Sequence, residues 1–164
     1  MKAAPDRAEM RARSERAILA ELASRADLAI PRQTVRSLHP PRPDLSCRLA
    51  GVPIYVEVTR LSQQGLNSSL AKAYRTGVSE VLVYDDRAAL RQTLSRKAER
   101  TYAVGARPLA LLVWIDGIYH PEGMPPSWAS TILQEVGPAS RWVHIWVYDQ
   151  PRQRVVATWA RDGQ

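Results

Sequence analysis

The 164 residues carry 23 basic against 16 acidic side chains, a net charge of +7, one cysteine and no phenylalanine. The single cysteine, Cys47, excludes a disulfide framework and any multi-cysteine zinc centre, and no apolar run approaches the roughly 18 residues of a membrane span. A chain of this length builds one well-buried core, so a single domain over residues 1–164 is expected. The opening residues Met1 to Arg7 lack an apolar signal core, which sets the expectation of a cytoplasmic protein. Lys2, Lys72 and Lys97 are the only lysines, so arginine supplies the other 20 of the 23 cations. Its planar fork of donors suits phosphate, and a polyanionic partner is expected.

In chain order, Asp6 and Glu9 have capping-box spacing and open a helix to about residue 28. Ala8, Ile18, Leu19, Leu22 and Ala26 form its apolar stripe, with Glu15 inside the stripe and Glu21 at its edge. An inward carboxylate needs a proton, a donor or a metal. Glu15 therefore reads either as a ligand or as the partner of a nearby arginine. Prolines 31, 40, 41 and 43 then enclose a short strand within Gln33–Leu38, and His39 falls in an exposed loop.

Residues 43 to 60 hold two runs at strand spacing, divided by Gly51. In the second, Val52, Ile54, Val56 and Val58 share one face, and Tyr55, Glu57 and Thr59 the other. A hairpin brings Asp44, at the mouth of the first run, near Glu57 at the far end of the second. Two converging carboxylates suit a magnesium ion, which takes one or two protein oxygens and completes its shell with water and phosphate. The same residues also read as a Pro-Asp turn before an ordinary strand.

A polar stretch from Arg60 leads to a short helix near 67–76, with Leu66, Leu70 and Ala73 inward and Lys72 outward, and then to a strand at Glu80–Tyr84. Asp85 and Asp86 begin a long helix to about residue 104, with a stripe of Leu90, Leu94, Ala98, Thr101 and Val104. Lys97 lies in that stripe. Its stem either covers apolar surface while the ammonium snorkels out, or the ammonium points at a group of carboxylates. The uninterrupted apolar run Leu109–Ile115 marks a central strand covered on both faces. A loop over Asp116–Ser127, a helix near 127–135 and a closing hairpin, Arg141–Tyr148 with Arg154–Ala160, complete the chain. Trp142, His144, Trp146 and Tyr148 are assigned to one strand face. Such a face suits base stacking or a homodimer contact, but packing beneath a helix is expected.

With Pro43-Asp44 and Glu57-Val58-Thr59 on a hairpin, the order helix, strand, hairpin, helix, strand, long helix, central strand resembles the PD-(D/E)XK nuclease superfamily, over roughly residues 6–116. The resemblance implies an α/β, restriction-endonuclease-like fold: a mixed central sheet flanked by helices, here with a C-terminal β-hairpin extension. It also implies a metal-dependent nuclease acting on nucleic acid, DNA in the first instance. Asp44 and Glu57 would hold Mg2+ (Mn2+ as substitute), with the Val58 carbonyl as a further ligand and Glu15 as the helix-one acid. Thr59 stands at the motif lysine position, and Lys97 is the internal lysine placed to replace it. Thr59 and Gln64 would support water or phosphate, and Arg42 and Arg60 the nucleic-acid backbone.

Two other classes fit the same features. Thr59 in place of lysine suits a catalytically inactive nuclease-fold module that binds nucleic acid or protein. The basic charge suits an α/β interaction protein that neutralises an acidic partner. A serine or cysteine hydrolase is not expected, since no nucleophile elbow occurs, and neither a phosphate loop nor a dinucleotide fingerprint is present.

Overall fold

The structure is a computed structural model and describes residues 6–61, 86–116 and 123–161. The expected helix near 67–76, the strand at Glu80–Tyr84, Lys72 and Gln64 lie outside the described residues. Helix α1 spans Arg7–Arg25, followed by a single 3-10 turn at Arg32–Thr34. Strands β1 (Arg36–Ser37), β2 (Leu45–Leu49) and β3 (Val52–Arg60) come next. Helix α2 (Asp86–Glu99), β4 (Leu109–Ile115), α3 (Pro126–Val136), β5 (His144–Asp149) and β6 (Arg154–Ala160) complete the described elements.

These strands form one mixed sheet in sequence order β1 to β6. The first three are joined by antiparallel pairings. β4 then runs parallel to both β3 and β5, and β6 returns antiparallel to β5. The closing hairpin thus extends the same sheet beyond the central strand. Both described crossover helices, α2 and α3, bury their apolar residues in the same core cluster. Successive parallel crossovers of one hand on one face step the sheet in one direction, which accounts for the unshuffled strand order.

β4 divides the interior. Leu109, Leu111, Val113 and Ile115 pack with Leu90, Leu94, Ile132 and Leu133 beneath α2 and α3. Ala110 and Leu112 pack with Ile18, Leu19 and Leu22 of α1, joined by Ile54, Val56 and Val58 of β3 and by Trp146 and Tyr148 of β5. A strand clothed on both sides has no position for a polar residue, hence its unbroken apolar run.

Several boundaries depart from the periodicity. Asp6 occupies the N-cap of α1 but its side chain makes no cap hydrogen bond, so the capping box does not form, and Ala8 is exposed. The helix ends at Arg25 because Asp27 takes a left-handed conformation (φ 50°) and the Leu28 amide bonds back to the Ala23 carbonyl at 2.9 Å, a Schellman closure. Helix α2 ends at Glu99 rather than near 104, leaving Thr101 exposed. Beyond it Tyr102, not Thr101, turns inward and meets Trp142 edge-on at 6.0 Å. Gly105 (φ 57°) then turns the chain into β4. The strand expected within Gln33–Leu38 is reduced to the 3-10 turn and the two residues of β1. Trp142 precedes β5 and joins the α2/α3 core, not the face of Trp146 and Tyr148.

Candidate functional site

The β2–β3 hairpin builds the site. Ala50 (φ 49°) and Gly51 (φ 84°) both adopt positive φ, as a two-residue turn matched to strand twist requires. That turn fixes the register: Leu45 pairs with Val56 and Cys47 with Ile54. One step outward, Asp44 falls opposite Glu57. Pro43 is buried beside it, and the Asp44 carbonyl accepts the Leu38 amide at 2.9 Å, tying the acid to β1.

The Asp44 carboxylate accepts the Val58 amide through Oδ2 at 2.9 Å. Its Oδ1 accepts Arg11 Nη2 at 3.0 Å, while Arg11 Nε donates to Glu15 at 2.6 Å. Glu15 therefore pairs with an arginine one helical turn before it, and Arg11 links the α1 acid to the hairpin acid. Burial, offset by the Arg11 hydrogen bond, holds the Glu15 carboxyl above the usual range, and the charge of Asp44 adds to the rise.

Glu57 points to the opposite side of β3 from Val56 and Val58 and is 1% exposed. α2 delivers Lys97 to it, with Nζ donating to Oε1 at 2.5 Å, and Arg100 Nη1 approaches the same oxygen at 3.4 Å. Only 10% of the Lys97 side chain is exposed, so the ammonium does not snorkel to solvent. Burial first, and the nearby negative charge of Asp44 second, push the Glu57 carboxyl upward despite the hydrogen bond from Lys97. The Tyr102 hydroxyl lies beside Glu57, is buried, and makes no hydrogen bond of ordinary geometry to the described residues.

Arg11, Glu15, Val58, Thr59, Arg60, Lys97 and Trp114 line a pocket of about 270 Å3 at the carboxyl end of β3. Such strand ends are where open α/β sheets place ligands. Thr59 is buried and shares this pocket with Lys97. Arg60 is half-exposed, engaged by Asp116 at 2.5 Å, and lies 6.0 Å from the Trp114 ring centre. Arg42, two residues before Asp44, is exposed, and among the described residues only its backbone amide is bonded, to the His39 carbonyl at 3.1 Å.

Sequence reasoning named Glu15, Asp44, Glu57, Thr59 and Lys97, and the fold brings them to one end of the sheet. It missed Arg11, Arg100, Tyr102 and Trp114. Arg11 carried a signal, the i to i+4 spacing to Glu15; Tyr102 carried none, because the helical pattern ran through it. Among the described residues, no three His, Cys, Asp or Glu side chains are grouped to hold a metal ion together. Asp44 and Glu57 offer two hard carboxylates, which is as many as magnesium commonly takes from protein. Cys47 is buried, and burial raises its thiol to about 11, so it holds no thiolate for nucleophilic chemistry.

No family model, no curated protein and no solved structure matches this chain.

Proposed function

We propose that the protein is a metal-dependent nuclease of restriction-endonuclease-like fold, hydrolysing phosphodiester bonds of nucleic acid, DNA in the first instance. The observation that carries this reading is the place of Asp44, one step beyond the Leu45–Val56 pair and so opposite Glu57, with Lys97 2.5 Å from Glu57. An acid buried against a second acid is costly to ionise, and a divalent cation between hard carboxylate oxygens relieves that cost.

Asp44 and Glu57 would hold Mg2+, or Mn2+ in its place. When bound, the ion supplies polarisation of the scissile phosphate and a lowered pKa for a neighbouring water. The chain's own residues do the rest. Lys97, placed by α2 at the pocket where the motif lysine is replaced by Thr59, orients the attacking water or balances charge on the five-coordinate phosphorus. Water oxygen bonds to phosphorus as the P–O bond to the leaving sugar oxygen breaks. Thr59 offers a hydroxyl to water or phosphate, and Arg11 and Arg42 contact the strand without reading sequence.

A second reading has a specific observation in its favour. Both carboxylates are already engaged by protein cations, Asp44 by Arg11 and Glu57 by Lys97 and Arg100. That arrangement suits a catalytically silent module of the same fold. Cleavage of plasmid and oligonucleotide DNA with and without Mg2+ separates the two. Asp44→Asn keeps an acceptor for the Val58 amide while removing the charge. The nuclease reading expects metal-dependent cleavage by the parent and a loss on the order of a thousandfold in Asp44→Asn, since a metal's contribution is several kcal/mol. Cleavage unchanged in that variant would overturn the reading; no cleavage by the parent would leave the binding module.

A further inference from the structure

A second and larger pocket, about 700 Å3, lies between the C-terminal half of α1, the segment Arg32 to Val35 and the β5–β6 turn. Its volume falls in the roughly 300–1,000 Å3 range of ligand sites. Arg16, Arg25 and Arg32 line it, with Glu21 and Tyr148. Three guanidiniums against one carboxylate leave an excess of two positive charges.

The partners of these arginines leave their charge in place, as those of Arg36, Arg48 and Arg161 also do. Arg11, Arg60, Arg91, Arg100, Arg152 and Arg154 all reach carboxylates. Among the described residues, Arg16, Arg25 and Arg32 reach none. Arg16 Nη1 donates instead to the Ser37 hydroxyl at 2.6 Å, and Arg25 Nη2 donates to the Gln153 side-chain carbonyl. Glu21, in the same pocket, accepts the Tyr148 hydroxyl at 3.3 Å and, among the described residues, ion-pairs with no arginine. Neutral acceptors hold the Arg16 and Arg25 guanidiniums in place without cancelling their charge, and Arg32 adds a third guanidinium to the lining. That is what a doubly charged, multi-oxygen anion requires.

We propose that this pocket binds phosphate groups, those of a nucleic-acid strand or of a nucleotide, through Arg16, Arg25 and Arg32. The site goes beyond the hydrolytic reading and does not depend on it.

The test is fluorescence anisotropy of a labelled single-stranded oligonucleotide in EDTA, where no cleavage is read. Parent protein is compared with Arg16→Gln/Arg32→Gln and with the charge-matched control Arg13→Gln/Arg141→Gln. Inorganic phosphate and a mononucleotide serve as competitors. The pocket variant is expected to bind at least tenfold more weakly, while the control changes by less than twofold. For two lost phosphate contacts, the log–log salt slope of the pocket variant should fall by about 1.4. All four altered residues are exposed, so an unchanged melting temperature is expected in both variants. Arg16→Lys/Arg32→Lys, which keeps charge and loses the forks, should recover part of the loss. With the pocket variant weakened, displacement by mononucleotide or phosphate assigns the site to a small ligand, and displacement by neither assigns it to a strand; either supports phosphate binding. Equal weakening in pocket variant and control, or no binding of any of the three probes, overturns it.

Discussion

Two fully buried carboxylates sit near the carboxyl ends of parallel strands, Glu57 on β3 and Asp149 on β5, and the sequence treats them differently. Asp149 is 0% exposed and takes its cations from its own turn, Arg152 at 3.1 Å and Arg154 at 3.8 Å. Its pocket is filled: a Cβ on Gly123 (φ 74°) would lie 2.6 Å from Asp149 Oδ2. Glu57 takes Lys97 from 40 residues away in sequence, has Asp44 across the hairpin as a like-charged neighbour, and lies beside an open pocket bordered by Lys97. The local clamp closes a hairpin. The long-range pair gathers charge from three elements, with Lys97 itself lining the pocket, which no requirement of the hairpin demands.

The comparison breaks most sharply at Lys97. Lys97→Met strands a buried carboxylate and should cost about 3–5 kcal/mol at neutral pH. The sign follows from the direction of the Glu57 shift. Its folded-state pKa is raised by burial and by Asp44, so any stability it contributes is present at low pH and lost as pH rises through that raised value. Urea melts of Lys97→Met at acid and at neutral pH should show the larger deficit at neutral pH. The double variant Glu57→Leu/Lys97→Met should recover most of the loss, because an apolar replacement of a buried pair is often neutral or better.

At the local clamp the effects are smaller. Gly123→Ala must strain a positive φ and displace Asp149 or its arginines, about 1–3 kcal/mol in thermal melts. Asp149→Asn should cost about 1–3 kcal/mol, since its arginine partners lie near enough to the surface to be rehydrated, and should leave any cleavage activity unchanged. The smallest effect belongs to the exposed pair joining α2 and α3, Arg91 with Glu135 at 2.8 Å. Arg91→Gln should lie within about 1 kcal/mol of the parent.

How much of this the sequence disclosed follows from range. The β2–β3 hairpin was legible because alternation and Gly51 are both local signals. β4 was legible because an unbroken apolar run this short, bounded by Pro108 and Asp116, suits a strand covered on both faces better than a helix. The inward direction of Lys97 followed from helical period, and its partner from the resemblance rather than from period. The end of α2 was misjudged because Thr101 and Val104 keep the helical spacing, while Gly105 and the packing of Tyr102 against Trp142 decide the boundary. The capping box failed because residue spacing at Asp6 and Glu9 does not guarantee the side-chain geometry. Asp149 was invisible, since an Asp before Gln150 and Pro151 looks like any turn residue until its burial is known.

The central claim is that Asp44 and Glu57 act together as a divalent-cation site. Mn2+ binding followed by electron paramagnetic resonance tests it without reading activity. The parent should remove Mn2+ from the free-ion signal at one site that Mg2+ displaces, and Asp44→Asn should weaken that binding at least tenfold. Equal Mn2+ binding by parent and Asp44→Asn, or none by either, would contradict the account.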